Sequence, residues 1–384
     1  MKPAIYSWLV LLFVGHISCK QASSDNLVPI IKAPAVINWQ NVDSLFGSSD
    51  RTALGVYADS AGLILMKQNG FTLLRKNNPQ PTHYIYSLFN DYWSSIRPTF
   101  YQGVAYAITS ENTIQAFPYR QPNQPPFTIR LADFNLPVTP NGRVAFSRRS
   151  SITINSSGLL VVELDAVTAP RYLYCLQLDD NGRAVRNSPD GKIGHPIVLS
   201  DSTFVPMFWG LYAFEDLLFV EAARNYVGDN LIASTLMGEL QRIGPTGQLK
   251  TVLPRVGVQN VFLFNNALYA VGGPLNSPLR LYKSTDKGQS WSSLYELTNA
   301  NLYGATFSSF HQIDNRLVTV YLHQRLQEYD VESNQVKTLR LTGVPEFRGT
   351  ITGLAQYEGK VYLTTSNGGI YVKPLKDFWQ YAAD

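Results

Sequence analysis

The sequence predicts an all-β protein folded as a seven-bladed β-propeller, with six or eight blades as the alternatives. One pattern, an apolar strand, a tight polar turn and a second apolar strand, occurs seven times at intervals of 42 to 58 residues. Such a period indicates a repeat architecture, and four short strands per period are typical of propeller blades. No segment of useful length has helical periodicity. The turns are Asp59-Ser-Ala-Gly62, Gln102-Gly103, Asn155-Ser-Ser-Gly158, Glu215-Asp216, Asn265-Asn266, Asp314-Asn315 and Glu358-Gly359.

Each repeat can be divided into strands by its apolar runs and turn residues. Blade one, for example, is predicted to contain strands at Thr52–Tyr57, Gly62–Lys67, Phe71–Arg75 and His83–Phe89. Blade seven is predicted to supply all four of its own strands. The blades are predicted at residues 52–89, 97–131, 149–199, 208–253, 259–297, 307–341 and 351–382.

The N-terminal residues predict export. Residues 1–19 contain Lys2, an apolar run from Ala4 to Gly15 and the pair Ser18-Cys19, which is the length and order of a signal peptide. The segment resembles a bacterial lipoprotein signal, and this resemblance implies lipidation of Cys19 and anchoring in the cell envelope. An ordinary secretory signal, and hence a secreted protein, is the alternative.

The remaining chain is predicted to form a tether and one domain. Residues 20–40 are a tether that could add an edge strand, its prolines allowing an edge position at most, and residues 41–384 form the propeller. Cys175 is then the one cysteine of the domain, where we expect a buried thiol without a disulfide partner. We expect the domain to be monomeric.

Composition excludes some functions. The 384 residues carry a net charge of +4 and only 16% are charged, which argues against a nucleic-acid protein. Aromatic residues make up 12% of the chain, with 22 tyrosines. Aromatic side chains suit pleated, half-buried surfaces, so sheet packing is the favoured explanation over platforms that stack on sugars.

One short motif stands in blade five, at Ser284-Thr-Asp-Lys-Gly-Gln-Ser-Trp291. It matches the Asp-box, in which Ser284, Asp286, Gly288 and Trp291 are the defining positions. Asp286 is expected to accept backbone N–H groups across a turn, and Gly288 to permit a positive φ. The motif resembles those of sialidase-like, sortilin-like and photosystem-assembly-factor-like propellers. In those families the Asp-box is structural, which implies a structural role here.

Catalytic signatures are mostly absent from the sequence. There is no zinc-protease, phosphate-loop or nucleophile-elbow motif, and no metal site or cofactor is predicted. Sialidases bind a carboxylate with three arginines, and arginines do stand near inner strands at Arg51, Arg97, Arg148, Arg149 and Arg348. Surface charge is the simpler interpretation. A glycoside hydrolase acting through an unassigned carboxylate pair remains the alternative function.

The favoured function is a non-catalytic binding or assembly module for a glycan or an envelope protein, held at the membrane by its lipid anchor. The longest connections, residues 132–148, 183–208 and 223–237, cluster in neighbouring blades, and long loops are often functional. This loop sector of blades two to four is the predicted ligand face. Its candidate residues, with the arginines near inner strands, are Arg97, Arg149, Phe208, Trp209, Arg224, Tyr226 and Arg348.

Overall fold

The structure is a computed structural model of the chain, and its β-propeller has seven blades as predicted. It describes residues 37–43, 53–67, 70–76, 78–85, 99–121, 123–136, 144–146, 151–166, 172–197, 207–226, 235–274, 278–297, 309–321, 325–344, 349–367 and 369–382. Within them, the strands form seven small antiparallel sheets.

The strands are numbered in chain order. Strand β1 is Gln40–Asn41; blade one contains β2 (Ala53–Ala58), β3 (Leu63–Lys67), β4 (Gly70–Arg75) and β5 (Asn78–Ile85); blade two contains β6 (Thr99–Tyr101), β7 (Val104–Ser110), β8 (Thr113–Pro118) and β9 (Phe127–Arg130). Blade three contains β10 (Val144–Ala145), β11 (Ile152–Ile154), β12 (Leu159–Ala166), β13 (Tyr172–Gln177) and β14 (His195–Ile197). Blade four contains β15 (Met207–Phe214), β16 (Leu217–Tyr226), β17 (Thr235–Ile243) and β18 (Leu249–Leu253).

The remaining strands complete the ring. Blade five contains β19 (Gly257–Phe264), β20 (Ala267–Gly273), β21 (Arg280–Ser284) and β22 (Ser292–Glu296); blade six contains β23 (Phe310–Ile313), β24 (Arg316–Tyr321), β25 (Arg325–Asp330) and β26 (Gln335–Thr338). Blade seven contains β27 (Ile351–Tyr357), β28 (Lys360–Thr365) and β29 (Gly369–Pro374), followed by the one-turn helix α1 (Leu375–Phe378).

The hydrophobic core lies between the blades rather than inside any one of them. The described residues form seven buried clusters, and each cluster joins two consecutive blades. One of them packs Val56 and Leu63 of blade one against Tyr362 of blade seven, so the last blade contacts the first. Because the second strand of each blade is covered on both faces, its sequence is a continuous apolar run instead of an alternating one.

The ring is closed by the N-terminal segment, so the prediction that blade seven supplies all four of its own strands is wrong. Strand β1 is the outer strand of blade seven and pairs antiparallel with β29, Gln40 facing Val372. Trp39, only 3% exposed, packs edge-on against Phe378 with ring centroids 6.0 Å apart. The predicted fourth strand around Phe378 is instead the end of helix α1.

Blades three and four differ from the prediction at their edges. Val144–Ala145, predicted to lie in a connection, form strand β10 and pair with the far end of β12. Strand β16 continues to Tyr226, so Arg224 and Tyr226 lie in a paired strand and not in a loop. The connection between β16 and β17 is therefore shorter than predicted, and it covers residues 227–234.

Two further features bear on the predictions about the mature domain. Cys175 is buried in β13 without a disulfide, as expected, and burial raises the pKa of its thiol to about 12. None of the helices within the described residues is long and apolar enough to cross a membrane.

Candidate functional site

A cavity of about 310 Å³ opens at one end of the ring, among blades one to four. Strands alternate in direction within a blade, so the first-to-second-strand turns and the third-to-fourth-strand connections share that end, which we call the turn face. The cavity is lined by Tyr57, Asp59, Phe100, Tyr101, Gln102, Gly103, Tyr119, Arg120, Ile154, Asn155, Ser156, Ala213 and Glu215. In the predicted loop sector, residues 132–148 and 223–237 belong to connections at the opposite end. Residues 183–194 lie in the third-to-fourth-strand connection of blade three and therefore on the turn face.

Tight turns place polar side chains at the cavity rim. Gln102 and Gly103 both have positive φ, 46° and 79°, as a two-residue hairpin turn of type I′ requires. Gly103 is also needed for space, because a Cβ there would lie 2.4 Å from Cδ of Arg120. The missing side chain lets Arg120 cross the turn of its own blade and reach blade one.

Asp59 holds the first wall of the cavity together. Its Oδ2 accepts hydrogen bonds from the hydroxyl of Tyr119 at 2.7 Å and from Nη2 of Arg120 at 3.0 Å. Its Oδ1 accepts from the backbone N–H groups of Ala61 at 2.7 Å and Gly62 at 3.1 Å. Partial burial acts to raise the pKa of Asp59, but the hydrogen bonds from Tyr119, Ala61 and Arg120 outweigh it and lower that pKa. Asp59 is therefore a fixed carboxylate.

An aromatic platform forms the second wall. The ring of Tyr57 is stacked on Phe100 with centroids 5.1 Å apart and planes 2° from parallel. Phe100 is braced edge-on by Tyr119 at 5.9 Å and by Phe71 at 6.5 Å. Tyr57 nevertheless remains 42% exposed, and none of the described residues forms a hydrogen bond with its hydroxyl. Tyr57 is therefore held in place by Phe100 and remains accessible to a ligand from the cavity.

The third wall joins blades three and four. The buried Asn155 donates through Nδ2 to the backbone oxygen of Asp216 at 2.9 Å, and its Oδ1 accepts from the N–H of Leu159 at 2.8 Å. The N–H of Ser156 donates to the backbone oxygen of Glu215 at 2.5 Å. The exposed carboxylate of Glu215 forms no hydrogen bond with the described residues. The turns of the two blades are thus locked together and leave one carboxylate open to a ligand.

The Asp-box segment lies on the same face, between β21 and β22, and has the geometry expected of its residues. Asp286 Oδ1 accepts from the N–H groups of Gln289 and Ser290, both at 3.0 Å, and from the hydroxyl of Ser284 at 2.8 Å. Hydrogen bonds, first of all from the Ser290 hydroxyl, lower the pKa of Asp286. Gly288 has φ of +74°, and a Cβ there would lie 2.4 Å from the ring of Phe219.

Two other blades use an aspartate in the equivalent turn. Asp179 in blade three accepts from the N–H groups of Asn181 at 2.9 Å and Arg183 at 2.8 Å. Asp330 in blade six accepts from the N–H of Glu332 at 2.9 Å. An aspartate after the third strand therefore organises these turns even where the rest of the motif is missing.

Replacing Asp286 with alanine is expected to lower the melting temperature, because the N–H groups of Gln289 and Ser290 lose their acceptor. Asp286→Asn is expected to lose less, since the amide oxygen can still accept. Thermal unfolding of both variants followed by circular dichroism checks this. An Asp286→Ala melting temperature equal to that of the wild type would show that the aspartate is dispensable.

The sequence-predicted ligand residues are largely beyond what the structure describes. Cys19, Arg97, Arg149 and Arg348, and also Arg51 and Arg148, lie outside the described residues. The backbones of Phe208, Trp209, Arg224 and Tyr226 lie in β15 and β16, but their side chains are not among the described ones. The predicted ligand face is therefore untested and remains a prediction.

The sequence analysis did not predict the cavity, although it had identified the turns that contain several of the lining residues. Gln102, Asn155 and Glu215 belong to the turns that marked the repeats, and Asp59 begins the first of these turns. The usable signal was that four consecutive first-strand turns carry polar side chains and must meet around one axis. Tyr119 and Arg120, which follow β8 and also line the cavity, have no such signal in the sequence.

Among the described residues, no group of three or more His, Cys, Asp and Glu side chains could hold a metal ion. The cavity lining contains neither histidine nor cysteine.

Comparison with solved structures shows the class of protein: the chain has the fold of β-propeller proteins. Neither known protein families nor curated protein sequences contain a match. The extracellular domain of the putative one-component system BT4673 from B. thetaiotaomicron is similar over 90% of this chain, at 12% identity and a TM-score of 0.53. This chain spans only 44% of that structure's length.

A second similar structure is the WD40 domain of Neurospora crassa Pan2. It is matched over 91% of this chain and 100% of its own length, at 11% identity and a TM-score of 0.52. YCF48 bound to D1 peptide is matched over 92% of this chain and 99% of its own length, at 12% identity and a TM-score of 0.48. At these identities the two matches with TM-scores above 0.5 establish the fold, and the function has to be argued from the site.

Proposed function

We propose that this protein is an exported, non-catalytic binding or assembly module of the cell envelope, whose partner is a glycan or an envelope protein. The observation that carries the proposal is the cavity on the turn face, which four blades build from rigidly held side chains around an open aromatic ring. A concave site with a few converging polar groups is the usual form of a ligand site. The ring of blades supplies the rigid scaffold.

Binding is favoured over glycoside hydrolysis by the state of Asp59 in the cavity. A hydrolase needs one carboxyl that stays protonated to act as an acid. Asp59 is held as a carboxylate by its hydrogen bonds, which lower its pKa. Glu221, a carboxyl whose pKa is strongly raised by burial, lies within blade four and does not line the cavity. Asp59 therefore suits the role of a fixed contact to a ligand and not that of an acid.

Export and lipid anchoring are part of the proposal and rest on residues 1–19. We expect labelled palmitate to be incorporated into the full-length protein and to be lost in Cys19→Ser. Label that survives this substitution would contradict acylation at Cys19. Incorporation into neither protein would leave a secreted protein as the better explanation.

The binding function can be tested in cells by placing a photo-crosslinking amino acid at position 102, on the cavity rim. We expect a discrete crosslinked species from this position and none from position 294, which is exposed on the outer strand β22. A species from both positions or from neither would contradict a ligand site in the cavity. Deleting residues 225–234 in the same strain tests whether the loop sector is required for binding. The crosslinked species is lost if the loop sector is required, and it is kept if the turn-face cavity suffices.

A further inference from the structure

We propose that the ligand of the turn-face cavity is a neutral saccharide that lays one sugar ring against Tyr57. This inference rests on the proposed binding function and names the chemistry that the site would recognise. Three properties of the cavity support the inference. They are an open aromatic face, hydrogen-bond donors and acceptors without partners among the described residues, and the absence of net positive charge.

The open aromatic face is the first property. Tyr57 is large, partly exposed and backed by a parallel ring, Phe100, so its position is set before any ligand arrives. An aromatic ring in this setting offers apolar area with little loss of conformational freedom on binding. The C–H face of a pyranose is flat and apolar, and it is the complement of such a ring.

Uncommitted polar groups surround the platform. Among the described residues, the hydroxyl of Tyr57 and the carboxylate of Glu215 have no hydrogen-bond partner. The side chain of Arg120 donates to described residues through Nη2 alone, to Asp59 and to Ser60. The site thus presents a donor set on Arg120, an acceptor set on Glu215 and a hydroxyl that can do both. Sugar hydroxyl groups also donate and accept, so one ring can satisfy all three.

The charge of the site selects against anions. The only cationic side chain of the lining is Arg120, and its guanidinium is already paired with Asp59 at 3.0 Å. Glu215 adds a second carboxylate with no cation against it among the described residues. A phosphate or a carboxylate would enter a site with more negative than positive charge, so an anionic ligand is disfavoured.

The volume limits the size of the ligand. About 310 Å³ is at the lower end of the range for small-molecule sites. The cavity accommodates the end of a glycan rather than a long stretch of one, with the rest of the chain leaving through the open mouth.

The test is isothermal titration calorimetry of the full propeller with defined probes. The neutral probes are cellobiose, maltose, lactose and N,N′-diacetylchitobiose; the charged probes are glucuronic acid and glucosamine. We expect at least one neutral disaccharide to bind more tightly than both charged sugars. Tyr57→Ala is expected to weaken that binding by about tenfold or more, while Tyr57→Phe, which keeps the ring, changes it by less than about threefold. Ile85→Ala, on the exposed outer strand of blade one, is the control for surface substitution and should bind as the wild type does.

Three results would overturn the proposal: no neutral probe binds, the amine probe binds best, or Tyr57→Ala leaves the affinity unchanged. Circular dichroism of each variant separates lost binding from lost folding. A crosslink from position 102 together with no saccharide binding would refute the ligand class and leave the binding module intact. The absence of any crosslinked species from position 102 would refute the proposed binding function.

Discussion

Replacing Trp39 with alanine is expected to lower the free energy of unfolding by about 3–5 kcal/mol, the usual cost of removing a large buried aromatic ring. Trp39 is 3% exposed and packs in the cluster that joins blades six and seven, against Phe378. Its backbone N–H donates to the oxygen of Thr342 at 2.9 Å, directly before β1 begins to pair with β29. The substitution therefore loosens the segment that closes the ring. Urea unfolding measures the loss.

A matched variant separates the ring contact from the chain connection. Trp39→Phe keeps an aromatic group in the cluster and is expected to lose clearly less stability than Trp39→Ala. An Ala variant with the unfolding midpoint of the wild type would show that the propeller closes without this segment. It would then contradict the role assigned to β1.

Replacing Glu221 with glutamine is expected to stabilise the protein above about pH 8 and to remove most of one step in its pH dependence. Glu221 is 3% exposed in β16, and none of the described residues forms a hydrogen bond with its carboxyl group. Burial raises its pKa from 4.5 to about 8. Tyr212 lies beside it, and its own pKa is raised by burial and by the charge of Glu221.

The number of protons bound in the folded and unfolded states determines how the free energy of unfolding changes with pH. Between pH 4.5 and about 8 the unfolded chain has ionised at Glu221 while the folded protein keeps the proton, so stability falls as the pH rises. At 1.36 kcal/mol per pKa unit the whole step amounts to roughly 3–5 kcal/mol. Chemical unfolding at a series of pH values measures it.

Glu215→Gln is the control for this substitution, because it removes the same charge from an exposed turn. We expect Glu221→Gln to flatten the pH slope of the wild type more than Glu215→Gln does. Equal slopes in the wild type and in Glu221→Gln would contradict a proton held on Glu221 in the folded protein.

Much of the fold could be predicted because each blade buries its second strand on both faces. A strand such as β7 is buried on both faces, so its sequence is a continuous apolar run. A short polar turn precedes each of these runs. Both signals are local, so seven copies could be counted without knowing how the blades pack. The fold class and the blade number are confirmed.

Ring closure could not be predicted in the same way. Strand β1 is only two residues long and both are exposed, so it has no apolar pattern of its own. Its place is set by Trp39 on one side and by Asp43 on the other, whose Oδ1 accepts from the N–H of Ile370 at 2.6 Å. Both contacts join residues more than 300 positions apart. Such pairing is decided by the assembled ring and has no signature in a local window.

The candidate site depends on the same long-range geometry. Long connections are visible in a sequence, and two of the three that were singled out, residues 132–148 and 223–237, belong to the opposite end of the ring. The turn-face cavity is built from short turns, and its key contact joins Asp59 of blade one to Arg120 of blade two. Nothing in either segment alone indicates that a small residue, Gly103, opens the path between them.

Hydrogen exchange followed by mass spectrometry tests the central claim, that the turn-face cavity is the ligand site, most directly. The partner recovered from position 102, or the tightest-binding saccharide, would be added to the purified propeller. We predict slowed exchange in the cavity turns at residues 57–62, 101–103, 119–121, 154–158 and 213–216. Protection confined to the opposite end, at the strand ends of residues 164–166, 172–173, 223–226 and 235–237, would contradict it.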